Sequence, residues 1–124
     1  MTHYLISVVG DGIVWRIEPK DFAAALQRRW PEVAIISEKP DEVWFEMQPA
    51  RGHGYVYAHL QGEDTVVVEM VDDMRDIVAI AIWFRSIVPP ELPLLLFDEG
   101  YTRDLTVTSS MTEEELAAAF LAES

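Results

Sequence analysis

Few residues in this 124-residue chain have types and spacings that could do chemistry. Cysteine is absent, so a disulfide framework and a thiolate zinc site are both excluded. The histidines are His3, His53 and His59, with no His-x-His or His-x-x-x-His pairing. If His53 and His59 share one strand they stand ~20 Å apart. Zinc–nitrogen bonds are ~2.0–2.1 Å, so such a pair does not chelate one ion. Asp72-Asp73 and Asp98-Glu99 lack the spaced oxygen donors of a calcium loop. Gly10-Asp11-Gly12 follows an apolar run but lacks the third glycine and immediate helix of a dinucleotide loop, and Asp11 would repel phosphate. It reads as a turn. Arg51-Gly52-His53-Gly54 is a better anion nest on paper, although a loop between strands calls for those glycines anyway. None of Ser7, Ser37, Ser86, Ser109, Ser110 or Ser124 stands in a Gly-x-Ser-x-Gly elbow. A triad assembled from distant positions would leave no local signature. Neither a metal nor a cofactor is expected, and no feature points positively to an enzyme.

One grouping stands out, and it is a face of a sheet. Alternate residues of a strand point to opposite sides. In Gly54–Leu60, Val56, Ala58 and Leu60 point one way while Tyr55, Tyr57 and His59 point the other. In Glu42–Gln48, Val43, Phe45 and Met47 oppose Trp44, Glu46 and Gln48. In Thr65–Met70, Val66, Val68 and Met70 oppose Thr65, Val67 and Glu69. With the apolar sets in the core, the other side carries Trp44, Glu46, Tyr55, Tyr57, His59 and Glu69. Rings with carboxylates and little lysine make an interaction surface, since Tyr and Trp anchor interfaces. The competing account is that a helix or loop covers this face, or that these are ordinary cross-strand pairs. A second candidate is the acidic turn around Asp98, Glu99 and Asp104, beside Gly100, Tyr101 and Arg103; a hairpin turn also explains Asp98 and Gly100.

The elements that must position this face can be read along the chain. Tyr4–Val9 is aliphatic and β-branched, and Ile13–Ile17 could return as a short strand. Pro19 suits the first position of a helix running to Trp30, with Phe22, Ala25, Leu26 and Arg29 on one side, and Pro31 ends it. Four strands follow near Val33–Ser37, Glu42–Gln48, Gly54–Leu60 and Thr65–Met70. Their connections are Lys39-Pro40-Asp41, Pro49-Ala50-Arg51-Gly52 and Gln61-Gly62-Glu63-Asp64, short enough to force antiparallel neighbours. Asp72 can cap a helix to Ile87 with Ile77, Val78, Ile80, Ala81, Phe84, Ile87 and Val88 on one face and Arg75, Ala79, Ile82 and Ser86 opposite. Pro89-Pro90 stops it. Leu94–Phe97 and Arg103–Thr108 read as paired strands. Thr112 with Glu115 forms a capping box, with Met111 and Leu116 as hydrophobic staple, and Glu113–Glu115 favour the helix dipole. The expected fold is α+β and two-layered, a mostly antiparallel sheet of six or seven strands with three helices in the order β-α-β-β-β-β-α-β-β-α. Residues 1–124 read as one domain, the usual size for a single core.

Charge narrows the partners. The formal net charge is −13. Residues 1–61 hold 6 basic and 8 acidic side chains, residues 62–124 hold 3 and 14. Nucleic acid and anionic membrane surfaces are disfavoured, because both are held through Lys and Arg. A basic protein is favoured, and the remaining possibility is self-association through the aromatic face. The N-terminal residues lack a basic segment followed by a long apolar run, and Ile77–Phe84 is far short of the ~20 residues a membrane span needs, so a cytoplasmic protein is expected.

In size, acidity, lack of a catalytic signature and a sheet with an aromatic and acidic face, the chain resembles the small acidic immunity proteins of bacterial toxin systems. The resemblance implies a stoichiometric inhibitor that masks a basic toxin, often a nuclease, by complementary charge. No motif is shared, so no residue role is carried over. The expectation is a non-enzymatic binding module of this kind. The alternatives are a small-molecule binder or enzyme with an aromatic pocket on the sheet, and a homodimer joined through the ring-rich face.

Overall fold

A computed structural model describes residues 3–10, 12, 14–39, 42–47, 55–100 and 104–121. The element order is β1 (Tyr4–Val8), α1 (Pro19–Arg29), β2 (Ala34–Lys39), β3 (Glu42–Met47), β4 (Val56–Gln61), β5 (Thr65–Val71), α2 (Met74–Ile87), β6 (Leu94–Asp98), β7 (Asp104–Thr106) and α3 (Glu113–Leu121). The α+β class, the element order and the three helices agree with the sequence reading, and the strands number seven. They form one sheet in the order β2-β3-β4-β5-β1-β6-β7, every neighbouring pair antiparallel. The first strand is therefore interior, flanked by the β2–β5 meander on one side and the β6–β7 hairpin on the other.

Register explains which residues share a face. Ile35, Phe45, Ala58, Val68, Tyr4 and Asp98 form one cross-strand row, and Val43, Leu60, Val66, Ile6, Leu96 and Leu105 form another. Most of these side chains are fully buried, and the helices pack on them. Phe22 of α1 meets Phe45 with centroids 5.9 Å apart, and Trp83 and Phe84 of α2 at 5.5 and 6.3 Å. Phe120 of α3 meets Tyr4 edge-on at 5.6 Å. All three helices thus lie on the Phe45–Tyr4 side of the sheet. The edge-to-face ring geometry adds about 0.5–1.5 kcal/mol per pair beyond burial.

Local chemistry sets the helix ends, with one correction. Pro19 opens α1 as expected. The cap of α2 is Asp73, not Asp72: its side chain accepts from the Arg75 N–H at 2.9 Å. The capping box of α3 is present in both directions, Thr112 N–H donating to Glu115 at 3.0 Å and Glu115 N–H to the Thr112 hydroxyl at 3.1 Å. Residues 14–18 form no strand; the segment is held by the Ile17 N–H donating to the Glu63 carbonyl at 2.9 Å and by Trp15 against Phe84. Glu63 and Gly62 both take left-handed backbone there, with φ of 65° and 64°.

The second helix is buried far more completely than a simple amphipathic pattern predicts. Ala79 and Trp83 are buried as well as the expected face, because α1 and α3 pack against it too. Two charged residues are sealed with it. Arg85 is 6% exposed, and its guanidinium donates to the carbonyls of Val88, Pro89, Leu92 and Val107. It satisfies the C-terminal end of α2 and ties it to the strand pair behind, while burial pulls its pKa below the usual arginine range. Asp76 is 1% exposed and neither carboxylate oxygen has a hydrogen-bond partner. Burial first, then the charges of Asp73 and Asp72, raise its pKa to about 6.

These two residues give opposite outcomes. Arg85→Met leaves a set of buried carbonyls without their donor and should cost about 3–5 kcal/mol in urea unfolding. Arg85→Lys should recover less than half, since a point charge does not span the fork. For Asp76 the folded pKa lies above the unfolded one, so the folded state holds the extra proton and stability falls as pH rises from about 4 through about 6. Asp76→Asn should therefore stabilise the protein by roughly 1–2 kcal/mol at pH 7.5, with the gain vanishing near pH 4.

Candidate functional site

The helix-free side of the sheet carries the candidate site. One row of residues crosses all seven strands: Ser37, Trp44, His59, Val67, Leu5, Phe97 and Asp104. A second runs Lys39, Glu42, Gln61, Thr65, Ser7, Leu95 and Thr106. A third, shorter row holds Ala34, Glu46, Tyr57 and Met70. Rings and aliphatics form the middle, where His59, Val67 and Phe97 are buried and Trp44, Tyr57 and Leu5 half-buried, and Glu42, Glu46, Glu69, Glu99 and Asp104 surround them. The described cations with placed side chains lie elsewhere: Lys20, Arg28 and Arg29 on α1, Arg75 and Arg85 on α2, and Arg16 on the segment before α1.

The centre of this wall is Trp44. Its indole stacks on the His59 imidazole with centroids 3.8 Å apart and planes inclined by 21°, and it leans on Tyr57 at 5.4 Å. His59 is only 4% exposed beneath these neighbours. Its Nε2 lies 3.3 Å from Gln61 Oε1. Its Nδ1 lies 3.5 Å from Glu69 Oε2 but forms no hydrogen bond. Sealed in this way, His59 is a packing partner of Trp44 and offers little ring surface for proton transfer to a substrate.

Glu69 reaches two histidines because the strand bulges. Tyr57 pairs with Met70 and Ala58 with Val68, so Glu69 is the extra residue between them. A bulge of this kind re-aims a side chain relative to the regular pleat. Glu69 Oε1 lies 3.2 Å from His3 Nε2, and His3 Nδ1 lies 3.3 Å from Glu99 Oε2. The Glu99 N–H also donates to the His3 carbonyl at 3.1 Å. His3 is thus the basic group between two acidic ones at the middle of the sheet's end. Among the described residues, no group of three or more His, Asp or Glu side chains is arranged to hold a metal.

Of the residues singled out from sequence, the structure brings Trp44, Glu46, Tyr57, His59 and Glu69 onto one face, with Glu99 and Asp104 at its β6–β7 side. Tyr55 stands at the border, its hydroxyl donating to Glu46 Oε2 at 2.8 Å; that bond, then burial and nearby negative charge, holds the phenol above its usual pKa. Asp98 is turned away: it belongs to the core row beside Tyr4 and is 5% exposed. The Arg51–Gly54 nest, Asp11, Tyr101 and Arg103 lie outside the described residues. Sequence reasoning passed over His3, Leu5, Leu95 and Phe97; it put Val67 on this side without singling it out, and it put Met70 with the core residues Val66 and Val68, whereas the bulge shifts Met70 to this face opposite Tyr57, 45% exposed. Alternation within β1 and β6 could have added Leu5, Leu95 and Phe97, but only the register brings His3 to Glu69.

Trp44 covers a face of the His59 ring. Trp44→Ala should make His59 reactive toward diethylpyrocarbonate at a rate approaching that of His3, whose side chain is 36% exposed, as read by peptide mass mapping. In the unaltered protein His59 should react at least about tenfold more slowly than His3.

Comparison with protein-family models, curated proteins and solved structures finds no significant match.

Proposed function

We propose that this chain is a non-enzymatic binding module whose helix-free sheet face docks a basic protein. The observation that carries the reading is the one-sided placement of α1, α2 and α3, which leaves Trp44, Tyr57, Leu5 and Met70 beside Glu42, Glu46, Glu69, Glu99 and Asp104 with no described helix over them. Met70 is 45% exposed, an unusual state for a methionine in a strand. Rings at the middle of a patch supply binding energy when desolvated, and the surrounding carboxylates steer an oppositely charged partner and exclude acidic ones.

The sign of the charge selects among occupants. Docking two copies face to face would set these carboxylates on each copy against those of the other, with Lys39 the one lysine or arginine in the described rows of this face, and that excess of negative charge opposes self-association. A polyanion is repelled for the same reason. A basic protein gains both the buried rings and the charge attraction. The likeness to acidic immunity proteins suggests that such a partner is a toxin held inactive by the complex.

The test pairs a specific bait with a rate. Wild-type protein and a Trp44→Ala/Glu46→Lys variant are used to capture partners from the native host, alongside a control altered on the helix side, Lys20→Glu/Arg28→Glu. The reading predicts one basic protein retained by wild type and control and lost by the wall variant. Its association rate should fall by about tenfold or more from 50 to 500 mM salt. Glu42→Lys and Glu46→Lys should each slow association by about 3–10-fold, and Trp44→Ala should raise Kd by about 10–30-fold through dissociation. An acidic partner, capture that ignores the wall variant, or sedimentation showing a dimer dissolved by Trp44→Ala would overturn it.

A further inference from the structure

A cleft of about 560 Å³ opens where β3 leaves the sheet, between the end of α1 and the start of β4. Trp30, Val33 and Met47 make its apolar wall, and Glu46, Glu32 and Tyr55 bring polar atoms to it. Its volume falls in the ~300–1,000 Å³ range of small-molecule sites, enough to admit a long side chain with its flanking backbone. None of its lining residues is a cation. Building on the proposed function, we propose that this cleft receives an arginine side chain of the basic partner.

Two observations lead there. Glu46 belongs to both places: it pairs across strands with Tyr57 on the wall and lines the cleft, so a partner seated on the wall can reach the cleft without a gap. Glu46 is also oriented in advance. The Tyr55 hydroxyl donates to its Oε2, which fixes the carboxylate and leaves Oε1 to accept from an incoming donor. The phenol keeps its proton because its own pKa is raised by that bond, so the pair enters as one neutral donor and one anion. The Trp30 ring already has the Arg29 guanidinium over it, with the central carbon 4.6 Å from the centroid, so Glu46 rather than that indole is the group that would hold the incoming arginine. An aliphatic stem fits against Val33 and Met47, and the planar fork can bond the carboxylate, a combination lysine does not reproduce. An anionic group would meet Glu46 and Glu32, and a wholly apolar one would strip water from them without return.

The probe is Nα-acetyl-arginine N-methylamide, with Nα-acetyl-norleucine N-methylamide as the neutral control, titrated into the full-length protein and followed by ¹H–¹⁵N NMR. Saturable shifts at the Trp30 indole N–H and the amides of Ala34 and Glu46 are expected with arginine only. Glu46→Gln keeps the size of the side chain and its acceptor for Tyr55, so the spectrum should otherwise be unchanged while the probe binds about fivefold or more weakly. No saturable response, an equal response to norleucine, or affinity unchanged in Glu46→Gln overturns the assignment. The two readings fail separately: a silent cleft with salt-sensitive capture on the wall removes only this site, whereas arginine binding with capture indifferent to the wall variant removes only the docking face.

Discussion

Phe22 is where α1, α2 and the sheet meet. It is fully buried, touches Phe45 of β3 and both Trp83 and Phe84 of α2, and through Trp83 connects to Trp30 at the end of its own helix. The rings interlock edge to face, so each fixes the tilt of the next. Because Phe45 lies in the same row as Tyr4, and Tyr4 receives Phe120 of α3, the three helices are committed to one side. A side chain at Phe22 that failed to reach both Phe45 and Phe84 would loosen the layer as a whole, since close-packed interiors transmit such gaps.

The commitment of the helices determines what the opposite side can be. An antiparallel sheet tolerates one covered and one uncovered face, and its residues alternate accordingly. Here the helix-free side is ring-rich at its middle and acidic around it, while Lys20, Arg28, Arg29 and Arg75 stand on helices and Arg85 ends as an internal tie. The wall keeps its rings in place by stacking: Trp44 rests on His59, and Glu69, displaced by the bulge, draws His3 and His59 toward one carboxylate. Such pre-ordering lowers the entropy a binding partner must overcome. The cleft beside Glu46 extends the same logic to a single side chain.

Much of this was legible before any coordinates. Period-two alternation assigns Trp44, Tyr57 and His59 to one face because the facing sets, Val43/Phe45 and Val56/Ala58, are apolar, and a one-residue slip would invert both. The helix ends were legible where local chemistry dominates, as at Thr112 and Glu115. Pairing across distant strands was not, so His3 between Glu69 and Glu99 could not be foreseen. The bulge at Glu69 leaves no composition signal. Asp98 and Glu99 read alike as turn acids, yet alternation sends one inward and one outward. Asp76 and Arg85 were hidden for a different reason: an acid in the first turn of α2 and a base in its last fit the dipole pattern, which accounts for them without requiring burial. Only the tertiary packing around α2 reveals that both are enclosed, Arg85 by the segments that hold Leu92 and Val107.

The central claim is that the Trp44 face is open in the isolated chain while the Phe22 face is closed. Hydroxyl-radical footprinting of dilute, monomeric protein tests it directly, because oxidation follows side-chain exposure. Trp44, Tyr57 and Met70 should be modified readily, and Trp83, Phe22 and Phe45 should stay protected until the protein unfolds. Protection of Trp44 and Tyr57 to the level of Trp83 in the folded monomer would contradict the account.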